Sequence, residues 1–529
     1  MAYCCYSPSV ASADVRLAEL LGALSLACDI AFGFPLEKSM RSCVLGVELG
    51  RRHGLSEEAL RDVYYTVLLG CAGATAFSHE AAAYACGDDI GLNRALADLL
   101  SDASRGPGKM SRFLRKIGDG APALERARAL TRLTFDFEMH DRYAHSVCDL
   151  SVHLAALVGL SSGVRAALTQ LCETWDGKGA PRKTKGEALH LPIRIEHIAD
   201  FGEIAHHRDG RAAAVALVKR QAGRHFDPEL AKTFLGDADE LLAGIEGGSI
   251  WERFLAAEPA PRALASEHRI DDLATAFAEL ADVKSVWTLD HSTGVAALAT
   301  RAAEGVGMPT DEIRQLRRAA LLHDLGRVSA PNRIWDKPAA LSPSDWEVVR
   351  MHAYWTERVL TQSPLLGDLA RLASGAHERL DGAGYHRALP SPMLGRAARL
   401  LAAADAYHAM REPRPYRPAR SAAEASRALL DDVAAGRLDR EAAHATLDAA
   451  GVAAPRTPAS WPCGLTDREV EVLRLLARGR SNKEIGSALG ISPRTAQHHV
   501  IHIYQKIDVA SRAAAALFAT ENGLLDALG

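Results

Sequence analysis

Four histidines and two aspartates in the second half of the chain have the residue types and spacing of metal ligands. His323 and Asp324 are adjacent and end an apolar run that begins at Ala319. The other members of the set are His291, His352, His377 and Asp405. Imidazoles and carboxylates are costly to bury without partners, and this set suits two divalent cations such as iron, manganese or zinc, bridged by one carboxylate. Because two such ions activate water and clamp a phosphate ester, the set predicts a phosphohydrolase site.

Helices must position these ligands, because helical periodicity dominates the 529 residues of the chain. Long alanine-rich runs with few β-branched stretches favour helix almost everywhere. The spacing of Ser344 and Glu347 predicts a capping box at the start of the helix that carries His352. We therefore predict an all-α protein in which a rigid helix holds that histidine.

Length and composition define the class of protein. A chain of 529 residues is too long for one compact core and suggests about three domains. With 48% hydrophobic and 24% charged residues and a net charge of −4, the composition is that of a globular protein. No stretch approaches the roughly 20 apolar residues of a membrane span, and the nine scattered cysteines form no CxxC pair. We therefore expect a cytoplasmic protein with reduced thiols and no membrane partner.

Two copies of one helical module follow each other in the chain. Residues 36–39 and 69–71 match segments that lie 253 residues further on, whereas residues 173–179 and Asp200 match segments 205 residues further on. The difference places an insertion of 48 residues in the first copy, between these two groups of matches. The first copy has Lys38, Gly70, Cys71 and Cys172 where the second copy has His291, His323, Asp324 and His377.

Glycine- and proline-rich segments and the ends of the repeat predict the domain borders. The predicted parts are a first module at 13–243, a linker at 244–265, a second module at 266–450, a linker at 451–463 and a C-terminal domain at 464–529. Three folded parts are therefore expected.

The second module resembles an HD-GYP domain, the branch of the HD superfamily whose active members hydrolyse cyclic di-GMP at a site of two or three metals. The resemblance is carried by His291-Ser292, residues 322–326, His352, residues 377–385 and residues 404–407. It implies a helical bundle and places the six ligands named above around the metals. It also gives His323, Asp324 and Arg327 catalytic roles.

Four positions depart from the pattern of that family. Ala376 replaces the first of two consecutive histidines and removes one ligand of the second metal, for which His386 or water can compensate. His386 replaces the proline of the Gly-Tyr-Pro motif, Arg327 replaces a lysine, and Trp287 stands where some members have an acidic ligand. The first module resembles a degenerate member of the family without metal. It is a pseudo-domain that pairs with the second copy, a ligand sensor or a scaffold.

Helix-capping and turn residues in the last 66 residues predict three helices. Capping boxes begin at Thr466 and Ser481, and the pair Ser492-Pro493 opens the third helix. Two short capped helices joined by a tight turn form a helix-turn-helix. The predicted buried stripe of the third helix consists of Ala496, Val500, Ile503 and Ile507.

The opposite face of that helix carries groups that suit the major groove of DNA, and the segment resembles a LuxR-type helix-turn-helix. The resemblance assigns Lys483 and Thr495 to phosphates and Gln497, His498 and Ile501 to base edges. The same surface includes Arg494, His502 and Lys506. From Gly464 onward, eight basic and seven acidic residues give a net charge of only +1, so we expect a homodimer on double-stranded DNA.

These features together predict a transcriptional regulator with tandem HD-GYP-like modules. In one reading, the second module binds two divalent metals and hydrolyses a cyclic dinucleotide such as cyclic di-GMP. In the other reading, the modules are not catalytic and only sense a nucleotide or mediate dimerisation or partner binding. Metal analysis together with a hydrolysis assay separates these readings.

Overall fold

The computed structural model describes residues 15–102, 108–136, 138–452, 461–509, 511–522 and 524. The chain forms two compact units, residues 1–452 and 453–529. Within the described part, the chain is almost entirely helical, as the sequence predicts, and its one sheet pairs β1 (Val15–Arg16) antiparallel with β2 (Leu264–Ala265). No described helix is long and apolar enough to cross a bilayer.

The first module is built from fourteen helices within its described residues. They are α1 (Leu17–Phe32), α2 (Lys38–Arg52), α3 (Glu57–Leu68), α4 (Ser78–Tyr84), α5 (Asp89–Ser101), α6 (Gly108–Lys116), α7 (Ala123–Phe135), α8 (Met139–Leu157), α9 (Ser162–Leu168), α10 (Leu191–Asp209), α11 (Arg211–Gln221), α12 (Pro228–Gly236), α13 (Ala238–Ala243) and α14 (Ile250–Ala257). A 3-10 turn lies at Gly186–Ala188. The centre of the bundle is formed by α2 packed against α3 and α10.

The second module follows the same plan with fewer helices. They are α15 (Glu267–Asp282), α16 (His291–Gly305), α17 (Thr310–Leu322), α18 (Asn332–Trp335), α19 (Pro343–Leu360), α20 (Pro364–Ser374), α21 (Arg396–Arg411), α22 (Ala422–Ala434) and α23 (Arg440–Ala449). Two 3-10 turns lie at Leu325–Ser329 and Ser391–Met393. In its centre, α16 packs against α17, α21 and α23.

The internal repeat is visible in matching helices and matching contacts. Helices α2 and α16 have the same length, and each follows a residue with left-handed backbone, Glu37 (φ 69°) or Asp290 (φ 60°). In the first module, the Asp29 carboxylate accepts hydrogen bonds from the N–H and Oγ–H of Ser39. Asp282 and Ser292 make the same bonds in the second module. Helices α5 to α7 lie within the inserted segment of the first copy.

Two local expectations need correction. Residues 244–265, expected as a linker, contain α14 with Ile250 and Phe254 buried, and β2 closes the sheet with β1. These apolar side chains pack α14 against α2, so this segment belongs to the folded unit. The capping box of α19 is formed by Ser342 and Asp345, two residues earlier than predicted, because Pro343 takes the first helical position and fixes the helix start there.

Within its described residues, the second unit contains the three helices predicted from their caps and a fourth, which the LuxR resemblance places after Ser511. They are α24 (Asp467–Ala477), α25 (Asn482–Leu489), α26 (Pro493–Lys506) and α27 (Arg512–Glu521), preceded by a 3-10 turn at Pro462–Gly464. Capping boxes open α24 and α25 at Thr466 and Ser481, as predicted. Gly490 turns the chain with left-handed backbone (φ 66°) between α25 and α26. The stripe of α26 predicted to be buried, Ala496, Val500, Ile503 and Ile507, lies in the core.

Candidate metal centre and DNA-facing surface

The two oxygens of the Asp324 carboxylate face two different pairs of histidines. Oδ2 lies 3.3 Å from Nε2 of His291 and 3.1 Å from Nε2 of His323. Oδ1 lies 3.3 Å from Nε2 of His352 and 3.3 Å from Nε2 of His377. A carboxylate between two groups of imidazoles is the arrangement of a ligand that bridges two cations.

Asp405 completes the first of these groups. Its Oδ1 lies 3.4 Å from Nε2 of His291 and 3.7 Å from Nε2 of His323, while its Oδ2 lies 3.2 Å from Nδ1 of His377. All six predicted ligands are buried and converge on one point of the second module. One group therefore offers two imidazoles and two carboxylates, and the other offers two imidazoles and the shared Asp324.

Helix ends and helix faces bring the ligands together. His291 is the first residue of α16, His323 follows the last residue of α17, and Asp324 precedes the 3-10 turn 325–329. The remaining ligands lie on α19, after α20 and on α21. At the turn, the Gly326 backbone lies so close to the carbonyl of His352 that an added Cβ would sit 1.9 Å from that oxygen. Glycine at this position therefore lets the turn and α19 approach.

Three of the histidines are oriented by their second ring nitrogen. Nδ1 of His323 bonds the carbonyl of Ala320 at 2.7 Å, Nδ1 of His352 bonds the carbonyl of Val349, and Nδ1 of His291 lies 2.8 Å from Oε2 of Glu412. Each ring therefore directs Nε2 into the centre. Within the described residues, these three Nε2 atoms are buried without a hydrogen-bond partner. Convergent, unpartnered donor atoms of this kind fit divalent cations.

The electrostatics of the centre favour ionised carboxylates. Burial alone would raise the pKa of Asp324, but the Arg327 guanidinium and the surrounding imidazoles hold it well below its usual range. Burial lowers the pKa of His352 to about 4, so this ring is neutral and its Nε2 lone pair is free. For His323, the Asp324 and Asp405 carboxylates outweigh burial and raise the pKa to about 9. The ionised carboxylates therefore call for positive charge, which without a metal is supplied by Arg327 and by the protonated His323.

Arg327 lies beside the predicted ligands. Its Nη2 is 2.8 Å from Oδ2 of Asp324, and its guanidinium stacks 5.3 Å from the ring centroid of Trp335. Nε and Nη1 of Arg327 have no hydrogen-bond partner within the described residues. A fixed guanidinium with free N–H groups suits a phosphate oxygen.

Sequence reasoning missed three side chains that surround His291. Glu412 bonds Nδ1 of His291, and its Oε1 lies 3.2 Å from Nδ1 of His408. Arg414 donates to Glu412 at 2.7 Å and also bonds the carbonyl of Trp287. His408 shares α21 with Asp405 and Glu412 follows its last residue, at spacings of three and seven residues, so helical periodicity carried a signal for both.

The departures from the family pattern have distinct consequences. Ala376 is fully buried and leaves the His352 and His377 group one side chain short. His386 does not replace the missing ligand, because its Nε2 pairs with Glu357 at 3.3 Å and its Nδ1 makes no hydrogen bond within the described residues. The neighbouring Tyr385 instead stacks on His377, with ring centroids 4.7 Å apart. The loop therefore covers the site and adds no ligand.

The DNA-facing surface predicted for the second unit is exposed. Among its members, Ile501 exposes 46% of its surface although it is apolar. The other predicted contacts, also exposed, are Lys483, Arg494, Thr495, Gln497, His498, His502 and Lys506. Lys506 is engaged within the domain, since its Nζ bonds Oε2 of Glu469 at 2.7 Å and the carbonyl of Gly464 at 2.8 Å. It therefore braces the start of α24 and contributes less to a phosphate-binding surface than the sequence suggested.

Known proteins share both parts of this chain. The HD domain family matches residues 275–442, and the luxR family of bacterial regulatory proteins matches residues 464–519. The 3′3′-cGAMP-specific phosphodiesterase 3 of Vibrio cholerae is 30% identical over 418 residues, which cover 78% of this chain and 90% of that protein. The chain belongs to the HD-GYP family.

Other members of the HD-GYP family match shorter stretches. A cyclic di-GMP phosphodiesterase of Thermotoga maritima is 35% identical over 150 residues, or 28% of this chain and 41% of that protein. A crystal structure of a cyclic GMP-AMP specific phosphodiesterase of V. cholerae superimposes with a TM-score of 0.57 and 26% identity. The superposition covers 83% of this chain and 99% of that one, so the shared architecture extends over both modules.

The first module keeps the HD-GYP framework around a different centre. Nζ of Lys38, at the position of His291, forms an ion pair with Asp200 and lies 3.7 Å from Sγ of Cys71. Lys38 is almost fully buried, and the Asp200 carboxylate outweighs this burial and holds the lysine pKa above its ordinary value. An internal ammonium group therefore lies beside Asp200, which matches Asp405 and is a predicted ligand position at which the first module keeps the same residue type.

Proposed function

We propose that the second module is a metal-dependent phosphodiesterase that acts on a cyclic dinucleotide and that its state is coupled to a DNA-binding domain. The observation that supports this most directly is the position of Asp324 between two groups of buried imidazoles, of which His291, His323 and His352 have an Nε2 without a hydrogen-bond partner among the described residues. The ligand types favour two ions of iron, manganese or zinc. Family membership supports the substrate class, because relatives over this region are named as cyclic GMP-AMP and cyclic di-GMP phosphodiesterases.

The residues around the centre have separable roles in this proposal. Two divalent ions held there would supply an activated water and neutralise charge on a scissile phosphodiester. Asp324 joins the two ligand groups, and the Nδ1 hydrogen bonds of His323 and His352 fix their rings. Arg327 presents Nε and Nη1 to a non-bridging phosphate oxygen. Tyr385 covers His377 and limits the access of bulk water to that side.

Hydrolysis by the full chain tests this function. The protein is loaded with Mn²⁺ or Fe²⁺ and incubated with 3′3′-cGAMP and with cyclic di-GMP, and the linear product is separated by chromatography. The matched control is the His323→Ala Asp324→Ala variant. We expect one of the two dinucleotides to be opened by the wild-type protein only. Metal-loaded wild-type protein that opens neither substrate contradicts the proposed catalysis.

A non-catalytic regulator is the second candidate function, and one observation favours it. The group formed by His352 and His377 lacks the ligand that Ala376 has replaced, and His386 points away from it. A module in which only one metal position has a full set of ligands can bind a cyclic dinucleotide through Arg327 without cleaving it. Equilibrium binding of 3′3′-cGAMP and cyclic di-GMP without product formation would identify this function.

The C-terminal domain is proposed to bind double-stranded DNA as a homodimer. Support comes from the exposed face of α26. Arg494, His498 and Ile501 follow one another at spacings of four and three residues, so they lie on the same side of the helix. An exposed isoleucine suits the methyl group of thymine, and an imidazole suits a base edge. A dimer compensates for the weak charge of one domain, because two half-sites double the phosphate contacts.

Selection of binding sites from random duplex DNA tests this proposal. We expect one enriched, two-fold symmetric sequence, and the His498→Ala Ile501→Ala variant should lose about 1–3 kcal/mol of sequence preference per contact. Glu471→Gln, on the exposed part of α24, is the control that keeps the preference. An unchanged preference in the double variant contradicts the assignment of the face, and a monomeric species in sedimentation of the DNA complex contradicts the dimer.

A further inference from the structure

The first module contacts the second at the two segments that flank the predicted metal ligands. One segment, residues 283–290, leads from α15 to His291. The other is formed by the turn 325–329 and α18, which follow Asp324. Helix α1 packs directly against that turn. The metal centre is thus built on segments that the other module supports.

One buried carboxylate of the first module holds both segments. Oδ2 of Asp89 forms an ion pair with Nζ of Lys284 at 2.5 Å, and Oδ1 accepts the backbone N–H of Asn332 at 2.8 Å. The side chains of Asp89 and Lys284 are 0% and 1% exposed. The Asn332 amide group donates to the carbonyl of Lys284 at 2.7 Å, which ties the two segments to each other.

The same part of the first module caps α18. The residue before this helix is Pro331, which offers no side-chain cap. Asp89 accepts the N–H of Asn332, and the carbonyl of Gly87 accepts the N–H of Arg333 at 2.9 Å. These N–H groups belong to the first turn of a helix and would otherwise be unsatisfied. A second module alone would therefore lack part of this helix start.

The contact of Asp89 with Lys284 and Asn332 has no counterpart in which the second module supports the first at the equivalent place in the repeat. Asp89 is the first residue of α5, which lies in the inserted segment of the first module. Lys284 corresponds in the repeat to Ala31, which is buried within α1 and cannot form an ion pair. The repeat itself does not require this contact, and the insertion supplies it solely to the module with the six predicted ligands.

We infer that Asp89 is a positioning residue for the metal centre of the second module. It fixes the backbone that leads to His291 and the segment that follows Asp324, so the separation of the two ligands depends on the first module. A buried ion pair contributes little net stability but fixes geometry, and a metal site tolerates little displacement of its ligands. The first module is then an intramolecular support that sets cation affinity. This inference rests on the proposed metal centre and does not require catalysis.

Titration of the metal-free full chain with Mn²⁺, followed by calorimetry and by electron paramagnetic resonance, tests the inference without substrate. We expect Asp89→Ala to weaken Mn²⁺ binding about tenfold, which is the lower end of the effect of groups that orient metal ligands. The electron paramagnetic resonance signal of two coupled Mn²⁺ ions should also become weaker. Asp89→Glu should recover part of the affinity. The matched control is Arg269→Ala, which removes a different bond between the modules, from Arg269 to the carbonyl of Gly159.

The outcomes separate the two proposals. Asp89→Ala and Arg269→Ala variants that both bind Mn²⁺ as the wild type does overturn the positioning role. A wild-type chain that binds no Mn²⁺ refutes the metal centre itself, whereas one that binds Mn²⁺ without hydrolysing a dinucleotide leaves the role of Asp89 intact. If circular dichroism shows that Asp89→Ala is unfolded, Asp89→Asn Lys284→Met replaces it, since this pair leaves no buried charge. The same weakening is expected, and an unchanged affinity refutes the inference.

Discussion

The two modules solve the same electrostatic problem in different ways. Each places an aspartate, Asp200 or Asp405, on the equivalent central helix. Asp405 is buried, and the side chain of Asp200 is 14% exposed. Each aspartate lies beside the first residue of α2 or α16. In the first module that residue is Lys38, whose ammonium group pairs with the carboxylate directly. In the second it is His291, whose Nε2 lies 3.4 Å from Oδ1 of Asp405. The carboxylates around His291 outweigh its burial and raise its pKa well above the ordinary value, and unlike lysine this ring can exchange its proton for a metal ion.

This difference shows that the same fold holds two different sets of residues at its centre. A buried carboxylate needs a counter-charge, and a lysine supplies one that cannot be removed by a chelator. With Lys38 in place, the first module does not need the other metal ligands. Gly70 and Cys71 stand at the positions that correspond to His323 and Asp324. The Gly73 backbone approaches Val147 as the Gly326 backbone approaches His352. The turn therefore packs against the helix that carries Val147 or His352 in the same way in both modules.

Removing the bridging carboxylate should break the comparison most completely. Asp324→Ala is expected to lower the metal content from about two ions per chain to near zero, because both ligand groups share this residue. Elemental analysis after loading and gel filtration measures the content. Cys71→Ala, the equivalent change in the first module, should leave it unchanged. Retention of a full metal complement by Asp324→Ala contradicts the bridging role.

The role of Lys38 as an internal counter-ion leads to a stability prediction. Lys38→Met should lower the free energy of unfolding by about 3 kcal/mol, because it leaves the largely covered Asp200 beside the buried Glu196 without a positive charge. Chemical unfolding followed by circular dichroism measures the change. Lys38→Met Asp200→Leu removes both charges and should recover most of the loss. A single variant as stable as the wild type would show that Asp200 does not need the lysine.

The contact between Glu412 and His291 predicts a smaller effect on the second module alone. Glu412→Gln should weaken Mn²⁺ binding about 10-fold to 100-fold, because the ring of His291 loses its charged acceptor. Calorimetric titration of the metal-free chain measures the affinity. Glu304→Gln, at the exposed end of α16, is the control. Equal affinities for the two variants would show that Glu412 does not orient His291.

The sequence predicted which side chains lie together in the second module better than it predicted what surrounds them. All six converge as the spacing and the family resemblance implied, since each lies at a helix end or on a helix face whose position the repeat defines. His408 and Glu412 were missed although their spacing from Asp405 carried a signal, whereas Arg414 follows α21 and joins the site only through its bond to Glu412. The engagement of Lys506 by Glu469 escaped for the same reason, since no local pattern predicts a contact across 37 residues.

The start of α19 and the position of α14 show a second limit. Two serines, Ser342 and Ser344, can cap this helix, and Pro343 decides its first turn rather than the spacing of Ser344 and Glu347. Glycines and prolines between 244 and 265 predicted a connector, yet Phe254 within that segment is fully buried. Turn residues mark where a chain bends, whereas burial of the residues between them depends on tertiary packing.

Restoring the missing histidine should bring the second module nearer to the complete family pattern, with the smallest effect of the four changes. Ala376→His adds an imidazole next to His377, and we expect occupancy of the second metal position to rise by a few-fold at limiting Mn²⁺. The gain is limited because Ala376 is fully buried and a larger side chain must displace its neighbours. Ala376→Asn, of similar size but a poorer ligand, separates crowding from coordination. Equal occupancy in both variants and in the wild type would mean that residue 376 does not face the second metal position.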